Sequence, residues 1–377
     1  MSRAVVRLRP VGSADGVASA DRAERVDALL EDAVRAAYAD PAGPDLDAAL
    51  DLARRWGPVL PVPAAGRTAE LWESLATLGS VDLTVTRVVE PHLDALAILS
   101  EADTGVDPGT GPDSGRAAAT WGVYAAEGPR RLTARSTDEG WRLDGEKSWC
   151  SLADRVDRAL VTAWLDEQTR GLFAVDLAAA GVSQLDSRAW VARGLAAVRS
   201  TGLRLDAVPA TAVGGPDWYL TRPGFAWGGA GVAAVWFGAA VALGRRLRRA
   251  CSAREPDQVA LVHLGAVDVA LTGARDALVR AAAVADAGPT AGGAVPDPVL
   301  VVARVRQRVA DACAEVLDRC ARALGPGPLA SEEEHARRVA DLELYLRQHH
   351  ADRDLARLGD LVLQAPGQIA DADQGWW

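Results

Sequence analysis

The sequence contains few lysine, methionine and aromatic residues. Lys147 is the only lysine among 41 basic residues, methionine occurs once, and aromatic residues make up 5% of the 377 positions. Acidic residues outnumber basic ones and give a net charge of −10, which argues against nucleic acid as a partner. The first ten residues also lack the apolar run of a signal peptide, so we expect a cytoplasmic protein.

The cysteines are few and widely spaced. Cys150, Cys251, Cys313 and Cys320 form no CxxC pair and show no other spacing that is typical of metal ligands. The sequence therefore predicts neither a disulfide framework nor a metal centre. No segment resembles a nucleophile elbow or a zinc-binding helix.

The composition is that of a globular protein, with 49% hydrophobic and 24% charged residues. One segment, residues 225–244, carries no charge and is followed by Arg245 and Arg246. Its length and basic flank fit a membrane-spanning helix. Because it consists mostly of Ala and Gly, we expect a buried bundle helix instead, and no membrane partner.

Hydrophobic periodicity divides the chain into three regions, which we expect to be three domains. Residues 1–112 have helical spacing, and Asp21 and Glu24 are placed like an N-terminal cap of a helix that ends at Tyr38. Residues 113–220 contain short β-prone runs separated by Gly, Asp and Pro. In residues 221–377 the helical period returns.

These regions predict an α+β fold class: an N-terminal helical domain, a middle antiparallel β-barrel or sandwich, and a C-terminal four-helix bundle. Asp103–Gly115 is a linker by composition. The β-prone runs are Thr120–Tyr124, Leu132–Ser136, Trp141–Leu143, Ala159–Trp164, Leu172–Val175 and Gly202–Leu205. The bundle helices are expected near 225–250, 257–287, 298–324 and 333–363.

Two short motifs carry weaker signals. Gly229–Ala234 matches the GxGxxA form of a dinucleotide-binding turn, but the residues before it do not form a buried strand. His349–Asp354 spells HHxxxD, which resembles the signature of CoA-dependent acyltransferases. Within a continuous helix the two histidines would diverge by about 100°, so we expect one packed and one solvated ring.

The strongest signal lies in the β region. Trp141–Ala153 reads WRLDGEKSWCSLA, and Arg193–Pro209 reads RGLAAVRSTGLRLDAVP. In order and spacing these blocks resemble the flavin-contacting hairpin and the following block of the acyl-CoA dehydrogenase family. The expected order of helical, β and bundle regions is also that of the family.

The resemblance implies FAD as cofactor and an acyl-CoA thioester as substrate. A flavin ring needs an apolar wall and a polar group near its reactive nitrogen. Trp149 could supply the wall and Ser151 the hydroxyl, two residues apart on one strand face. The alternative is a β-hairpin with a core Trp. Val123, Arg199 and Gly325 are the further cofactor-binding candidates that the resemblance implies.

The sequence departs from the family where the catalytic carboxylate is expected. The usual Glu position falls on His349, and a second known position falls near Gly228. His349 and His350 are therefore the catalytic candidates, since an imidazole titrates near neutrality. The family's RxxFG and GlnxxGG segments are reduced to Ala253–Asp257 and Ala323–Gly327.

Three functions remain open at this point. The first is a flavin-dependent oxidoreductase on an acyl-CoA thioester, with an electron-transfer partner. The second is a flavin monooxygenase of the same fold, since such relatives also lack the Glu. The third is a non-catalytic subunit of a heteromeric complex. The family usually associates through its bundle, so the resemblance also implies a homo-oligomer or a hetero-oligomer with a related chain.

Overall fold

The computed structural model describes residues 4–8, 16–40, 43–102, 106–107, 109, 118–288 and 296–364, with side chains from residue 21 in the first helix and without that of Ser187. Most of the predicted linker and the tail at 371–377 lie outside these residues.

The N-terminal region consists of helices α1 (Gly16–Tyr38), α2 (Leu46–Trp56), α3 (Thr68–Val81) and α4 (Leu83–Ala102). Asp45 caps α2 by accepting hydrogen bonds from the amides of Asp47 and Ala48. The expected cap at Asp21 and Glu24 is wrong, because α1 already begins at Gly16 and both residues lie inside it.

The middle region is a small strand barrel. Its strands are β1 (Trp121–Tyr124), β2 (Leu132–Thr137), β3 (Gly140–Lys147), β4 (Arg158–Trp164), β5 (Arg170–Asp176), β6 (Val182–Gln184) and β7 (Leu203–Val213). The barrel closes in the order β4-β2-β3-β7-β5 and back to β4. All six β-prone runs are strands, whereas β6 had no sequence signal.

The expected all-antiparallel pairing is wrong in one part of the barrel. β1 runs parallel to β4 from Trp121 to Tyr124, and β2 meets β4 in parallel at Thr133. The chain makes the β2–β3 hairpin before it returns as β4, so β4 runs in the same direction as β1 and β2. The remaining pairs are antiparallel.

The C-terminal region contains the short α5 (Trp218–Thr221), then α6 (Pro223–Ser252), α7 (Gln258–Ala287), α8 (Pro298–Leu324), α9 (Gly327–Ser331), α10 (Glu333–Tyr345) and α11 (Asp352–Gln364). The first three expected bundle helices agree with α6, α7 and α8. The fourth, expected over 333–363, is broken: a 3₁₀ turn at Leu346–Gln348 follows α10, and His349 is extended. Ala351 has a positive φ of 49° before α11 begins.

The bundle shares its core with the N-terminal helices. α6 packs against α3 as well as against α7 and α8. Gly79 of α3 and Gly238 of α6 lie at this crossing, where a Cβ on either would overlap a backbone carbonyl of the other helix. α6 is long and apolar enough to cross a membrane, but 67% of its most apolar window is buried inside the protein. Its apolar surface is thus largely taken up by this packing.

Candidate functional site

The turn after β3 exposes an aromatic side chain beside a hydroxyl pair. Trp149 is 58% exposed and has a φ of 60°, an unusual conformation for a bulky residue. Ser151 Oγ lies 2.7 Å from Ser200 Oγ. β3 ends at Lys147, so Trp149 and Ser151 lie in a turn and not on one strand face as the sequence suggested. Nevertheless, an exposed indole next to a hydroxyl is the arrangement that a flat ring cofactor needs.

Backbone contacts join this turn to the second block of the resemblance. The amide of Cys150 donates to the carbonyl of Thr201 at 2.7 Å, and that of Leu152 donates to Arg199 at 2.8 Å. Arg199 pairs with Asp154 in the same turn. The structure therefore brings Trp149, Ser151 and Arg199 to one rim of the barrel.

β1 supplies the neighbouring wall. Tyr124 donates its hydroxyl to the carbonyl of Ser151 at 3.0 Å. Val123, the preceding residue, has the opposite orientation and packs against the cluster that includes Ile98 of α4. Val123 thus lies at the seam between the barrel and the N-terminal helices, next to the turn.

Gly325 lies elsewhere. It caps the C-terminal end of α8 with a φ of 66°. The cleft described below contacts the opposite end of α8, near Arg306. Nineteen residues of helix separate the two positions, which corresponds to about 28 Å. The described residues of this chain do not bring Gly325 to the turn or to the cleft.

The side chain of the single lysine is buried at the end of β3. Lys147 is 3% exposed, and its Nζ donates to Thr162 Oγ1 at 2.8 Å and to Glu127 Oε1 at 3.2 Å. Burial lowers the pKa of Lys147, which Glu127 opposes. Because the ammonium is enclosed and paired, we assign it a structural role in orienting the turn that begins two residues later.

An open cleft of about 400 Å³ lies between helices α4, α6 and α8 and the segment from Gln348 to Leu361. Its floor contains Phe225, Val232 and Val302, and its walls are polar. Gly229, from the GxGxxA motif, lies in the floor too, but inside helix α6 and not after a strand. The motif is therefore no dinucleotide-binding turn, as the missing strand before it indicated.

Both histidines of the HHxxxD motif lie in the cleft wall and face the same carboxylate. His349 Nε2 is 3.8 Å from Asp354 Oδ2, and His350 Nδ1 is 3.4 Å from Asp354 Oδ1. Asp354 also accepts the backbone N–H of His350 at 3.1 Å. The expected divergence of the two rings is wrong, because the helix is broken at His349. As expected, one ring is packed and one is solvated.

The ring of His349 is held in one protonation state. Its Nδ1 accepts the N–H of Ala351 at 3.2 Å, so the hydrogen of the neutral ring lies on Nε2. Burial lowers the pKa of His349, against the opposing charge of Asp354. The edge of the ring meets Trp236 at a centroid distance of 6.4 Å. His349 is therefore a neutral hydrogen-bond donor near pH 7.

The opposite wall is acidic and was missed by the sequence analysis. Glu90 accepts from Arg87 at 2.5 Å and from the Tyr345 hydroxyl at 3.3 Å. Burial raises the pKa of Asp94 to about 6; Arg222 opposes this shift and Glu90 adds to it. The available signal was the spacing of these two carboxylates, four residues apart and therefore on one face of α4.

The Tyr124 hydroxyl faces the turn, where it donates to the carbonyl of Ser151. Burial raises the pKa of the Tyr124 hydroxyl well above its ordinary value, and the charge of Arg87 opposes that shift. Arg87 is in turn paired with Glu90, which lines the cleft.

Comparison with known proteins gives similarity in structure only. No family model and no curated protein matches the sequence. KijD3, solved with FMN and dTDP-3-amino-2,3,6-trideoxy-4-keto-3-methyl-D-glucose, has a TM-score of 0.74 and 17% identity over 93% of this chain and 95% of its own. TdsC from Paenibacillus sp. A11-2, solved with FMN and indole, has a TM-score of 0.73 and 16% identity over 91% of this chain and 97% of its own.

A nitrososynthase from Micromonospora carbonacea var. africana is similar to the same degree, with a TM-score of 0.72 and 18% identity over 95% of this chain and 99% of its own. TdsC is also described as a dibenzothiophene monooxygenase. KijD3 and TdsC were thus both solved with FMN, and these proteins have the fold of the acyl-CoA dehydrogenases. The chain therefore has an acyl-CoA dehydrogenase-like fold, as the resemblance of its barrel blocks implied.

Proposed function

We propose that the protein is a flavin-dependent monooxygenase, which uses reduced FMN and dioxygen to oxygenate a small molecule in the cleft. The state of the His349 ring carries this proposal. An acyl-CoA dehydrogenase needs a base that removes a proton next to the thioester carbonyl. At the corresponding position, His349 has one nitrogen occupied by the Ala351 amide and the other protonated.

The residues of the turn fit a flavin. Trp149 offers an exposed apolar face, and the Ser151–Ser200 pair offers hydroxyls beside it. A bound reduced flavin would supply the two electrons that monooxygenation takes from a reductant. The chain's own residues would place the ring against Trp149 and hold its polar edge near Ser151.

Two features support FMN over the expected FAD. The segments that hold the adenylate half of FAD in the resembling family are reduced here to Ala253–Asp257 and Ala323–Gly327. In the structure the first is only a tight turn between α6 and α7, which Asp257 closes by capping α7. The FMN-bound state of KijD3 and TdsC agrees with a mononucleotide cofactor on this fold.

The monooxygenase proposal gives the cleft residues roles in binding and not in α-proton removal. The Nε2–H of His349 would donate a hydrogen bond to the substrate or to the oxygen that is transferred. The apolar floor would exclude water from the flavin. Reducing equivalents would arrive with the flavin or from the predicted electron-transfer partner. Association into an oligomer stays a prediction, and α7 offers exposed Val259, Val262 and Val269 for it.

The experiment that tests this proposal separates it from the dehydrogenase function. The protein is loaded with oxidised FMN or FAD and mixed without oxygen with octanoyl-CoA or isobutyryl-CoA. We expect no loss of the flavin absorbance with either thioester, since His349, at the position of the family's base, has its Nδ1 occupied by the Ala351 amide and its hydrogen on Nε2. Rapid bleaching by an acyl-CoA would overturn the proposal in favour of the dehydrogenase. Failure to bind any flavin would favour the non-catalytic subunit.

A further inference from the structure

The cleft is lined by several charged side chains, among them Arg222, Asp354 and Arg357. Two others, Asp94 and Arg306, form two poles of opposite charge, and each of them lacks a strong partner. On the acidic side, Glu90 is paired with Arg87, and Glu101 accepts from Arg222 at 2.6 Å. Asp94 has a weaker contact, 3.4 Å from the same Arg222. Because Arg222 is shared and lies closer to Glu101, Asp94 is the carboxylate with capacity for another donor.

The basic pole is the guanidinium of Arg306. It donates to two backbone carbonyls, Gly229 at 2.7 Å and Gln348 at 3.3 Å, and stacks over the ring of Trp236. Within the part of the chain that the structure describes, no carboxylate forms a salt bridge with it. A guanidinium in a cleft wall, bound only to neutral carbonyls, favours an anionic ligand.

Neighbouring glycines of α6 connect the two poles. A Cβ at Gly228 would lie 3.2 Å from Asp94 Oδ1, and one at Gly229 would lie 3.6 Å from Cδ of Arg306. The two charged groups therefore approach adjacent residues of one helix, and the apolar floor lines the same cleft. Both glycines keep the space between the poles free of side chains, which leaves room for a ligand body.

We propose that the cleft binds a small amphoteric molecule, with an ammonium group against Asp94 and an anionic group, a carboxylate or a phosphate ester, against Arg306. The apolar body of the molecule contacts Phe225, Val232 and Val302. That this ligand is the substrate rests on the proposed monooxygenase function, whereas its binding does not. Asp94 and Arg306 thus recognise the charged groups of the ligand, and the apolar floor limits the size of its body.

Isothermal calorimetry with three matched probes tests the two poles separately. Benzylamine carries only the cation, benzoate only the anion, and 4-(aminomethyl)benzoate carries both on the same ring. We expect the full-length protein to bind the amphoteric probe at least tenfold more tightly than either singly charged probe. Equal affinities for the three probes, or no binding at millimolar concentration, would overturn the proposal. A fourth probe, 4-(aminomethyl)phenyl phosphate, shows whether the anionic group is a carboxylate or a phosphate.

Variants assign each preference to its residue. Asp94→Asn should reduce the affinity for the amphoteric probe to that for benzoate. Arg306→Gln should reduce the affinity for the amphoteric probe to that for benzylamine. Arg306→Lys keeps the charge and should keep the preference, which separates charge from packing on Trp236. The matched controls are Asp268→Asn and Arg304→Gln, both at exposed positions of the bundle. Equal weakening of all probes in Asp94→Asn and Arg306→Gln would contradict the assignment.

The same titrations are run without oxygen, with and without saturating reduced FMN. Probe binding in a protein that fails to bind reduced FMN would refute the proposed function and leave the amphoteric site intact. Binding of reduced FMN without any preference for the amphoteric probe would refute the amphoteric site and leave the proposed function intact.

Discussion

The ring of His349 has three contacts, and each limits its chemistry. Nδ1 accepts the Ala351 amide, Trp236 packs against the ring, and Asp354 lies 3.8 Å from Nε2. These contacts come from α6 and from both sides of the break before α11. The HHxxxD spacing identified His349 and His350 in the sequence. The tautomer of His349, however, depends on a positive φ at Ala351, which no residue pattern indicated.

We predict that the His349 ring is neutral at pH 7 with its hydrogen on Nε2. Burial lowers its pKa below the ordinary value, so protonation requires a lower pH than for a free ring. Long-range ¹H–¹⁵N NMR of the labelled protein reports the protonated nitrogen, and His349→Gln identifies the signal. The solvated His350 serves as the internal comparison. A hydrogen on Nδ1, or a charged ring at pH 7, would contradict the monooxygenase argument.

Asp341 is a second buried group with a definite pH response. Its Oδ1 accepts the amide of Leu195 at 2.5 Å, and its Oδ2 has no hydrogen-bond partner among the residues that the structure describes. Burial raises its pKa to about 7, the Leu195 amide and the arginines Arg337 and Arg338 oppose the shift, and Asp82 adds to it. Since the folded state holds the proton more tightly than the unfolded state, ionisation of Asp341 costs stability as the pH rises from about 4 to 7.

Asp341→Asn should therefore gain stability relative to the wild type as the pH increases through that window, by about 2–4 kcal/mol in total. The asparagine oxygen still accepts the Leu195 amide, so the loop stays attached to α10. Urea unfolding at several pH values gives the difference in unfolding free energy. Glu343→Gln, exposed on the same helix, is the control. A difference that does not change with pH would show that Asp341 is ionised without cost.

At the scale of elements, the break between α10 and α11 builds the cleft wall. The sequence predicted one helix over 333–363, since it has neither glycine nor proline before Gly359. The structure ends α10 at Tyr345 because the next residues are held by tertiary contacts, in which Arg306 binds the carbonyl of Gln348. Asp354 then captures the amide of His350 and starts the next helix. Side chains that are distant in sequence decided this break, so local periodicity could not predict it.

The crossing of α3 and α6 gives a prediction at the same scale. Gly238→Ala places a methyl group on the carbonyl of Ala76, and the helices have to separate. We expect a loss of about 1–3 kcal/mol of unfolding free energy, as for other overpacked cores. Gly265→Ala in α7 has nothing within 4 Å of the new methyl group and should gain about 0.5–1 kcal/mol. Thermal unfolding of both variants measures the contrast, and equal effects would place the crossing elsewhere.

At the scale of the molecule, the sequence predicted the order of regions and nearly all strands, because Gly, Asp and Pro separate the runs of the barrel. It also placed Trp149, Ser151 and Arg199 in two blocks that the structure joins. The sequence could not predict the cleft, because Asp94 and Arg306 come from different regions of the chain and come together only at α6. The shared core of α3 and α6 is what brings the N-terminal and C-terminal contributions together.

The proposed monooxygenase function requires a flavin on Trp149 and a ligand in the cleft to come close to each other. Tyr124 donates to Ser151 in the turn, and Arg87, whose charge acts on the Tyr124 hydroxyl, pairs with Glu90 of the cleft lining. Binding of a reduced flavin at Trp149 is therefore the first requirement of the proposal.

The most direct measurement is an anaerobic titration of the protein with reduced FMN and with reduced FAD, followed by fluorescence and by equilibrium dialysis. We expect one reduced FMN per chain, bound more tightly than reduced FAD, and an affinity for reduced FMN that is at least tenfold weaker in Trp149→Gly. Glycine accepts the positive φ at this position, so the variant removes the indole without strain. Val191→Ala, at another exposed apolar residue, should change nothing. Absence of flavin binding, or binding that ignores the loss of Trp149, would contradict the account.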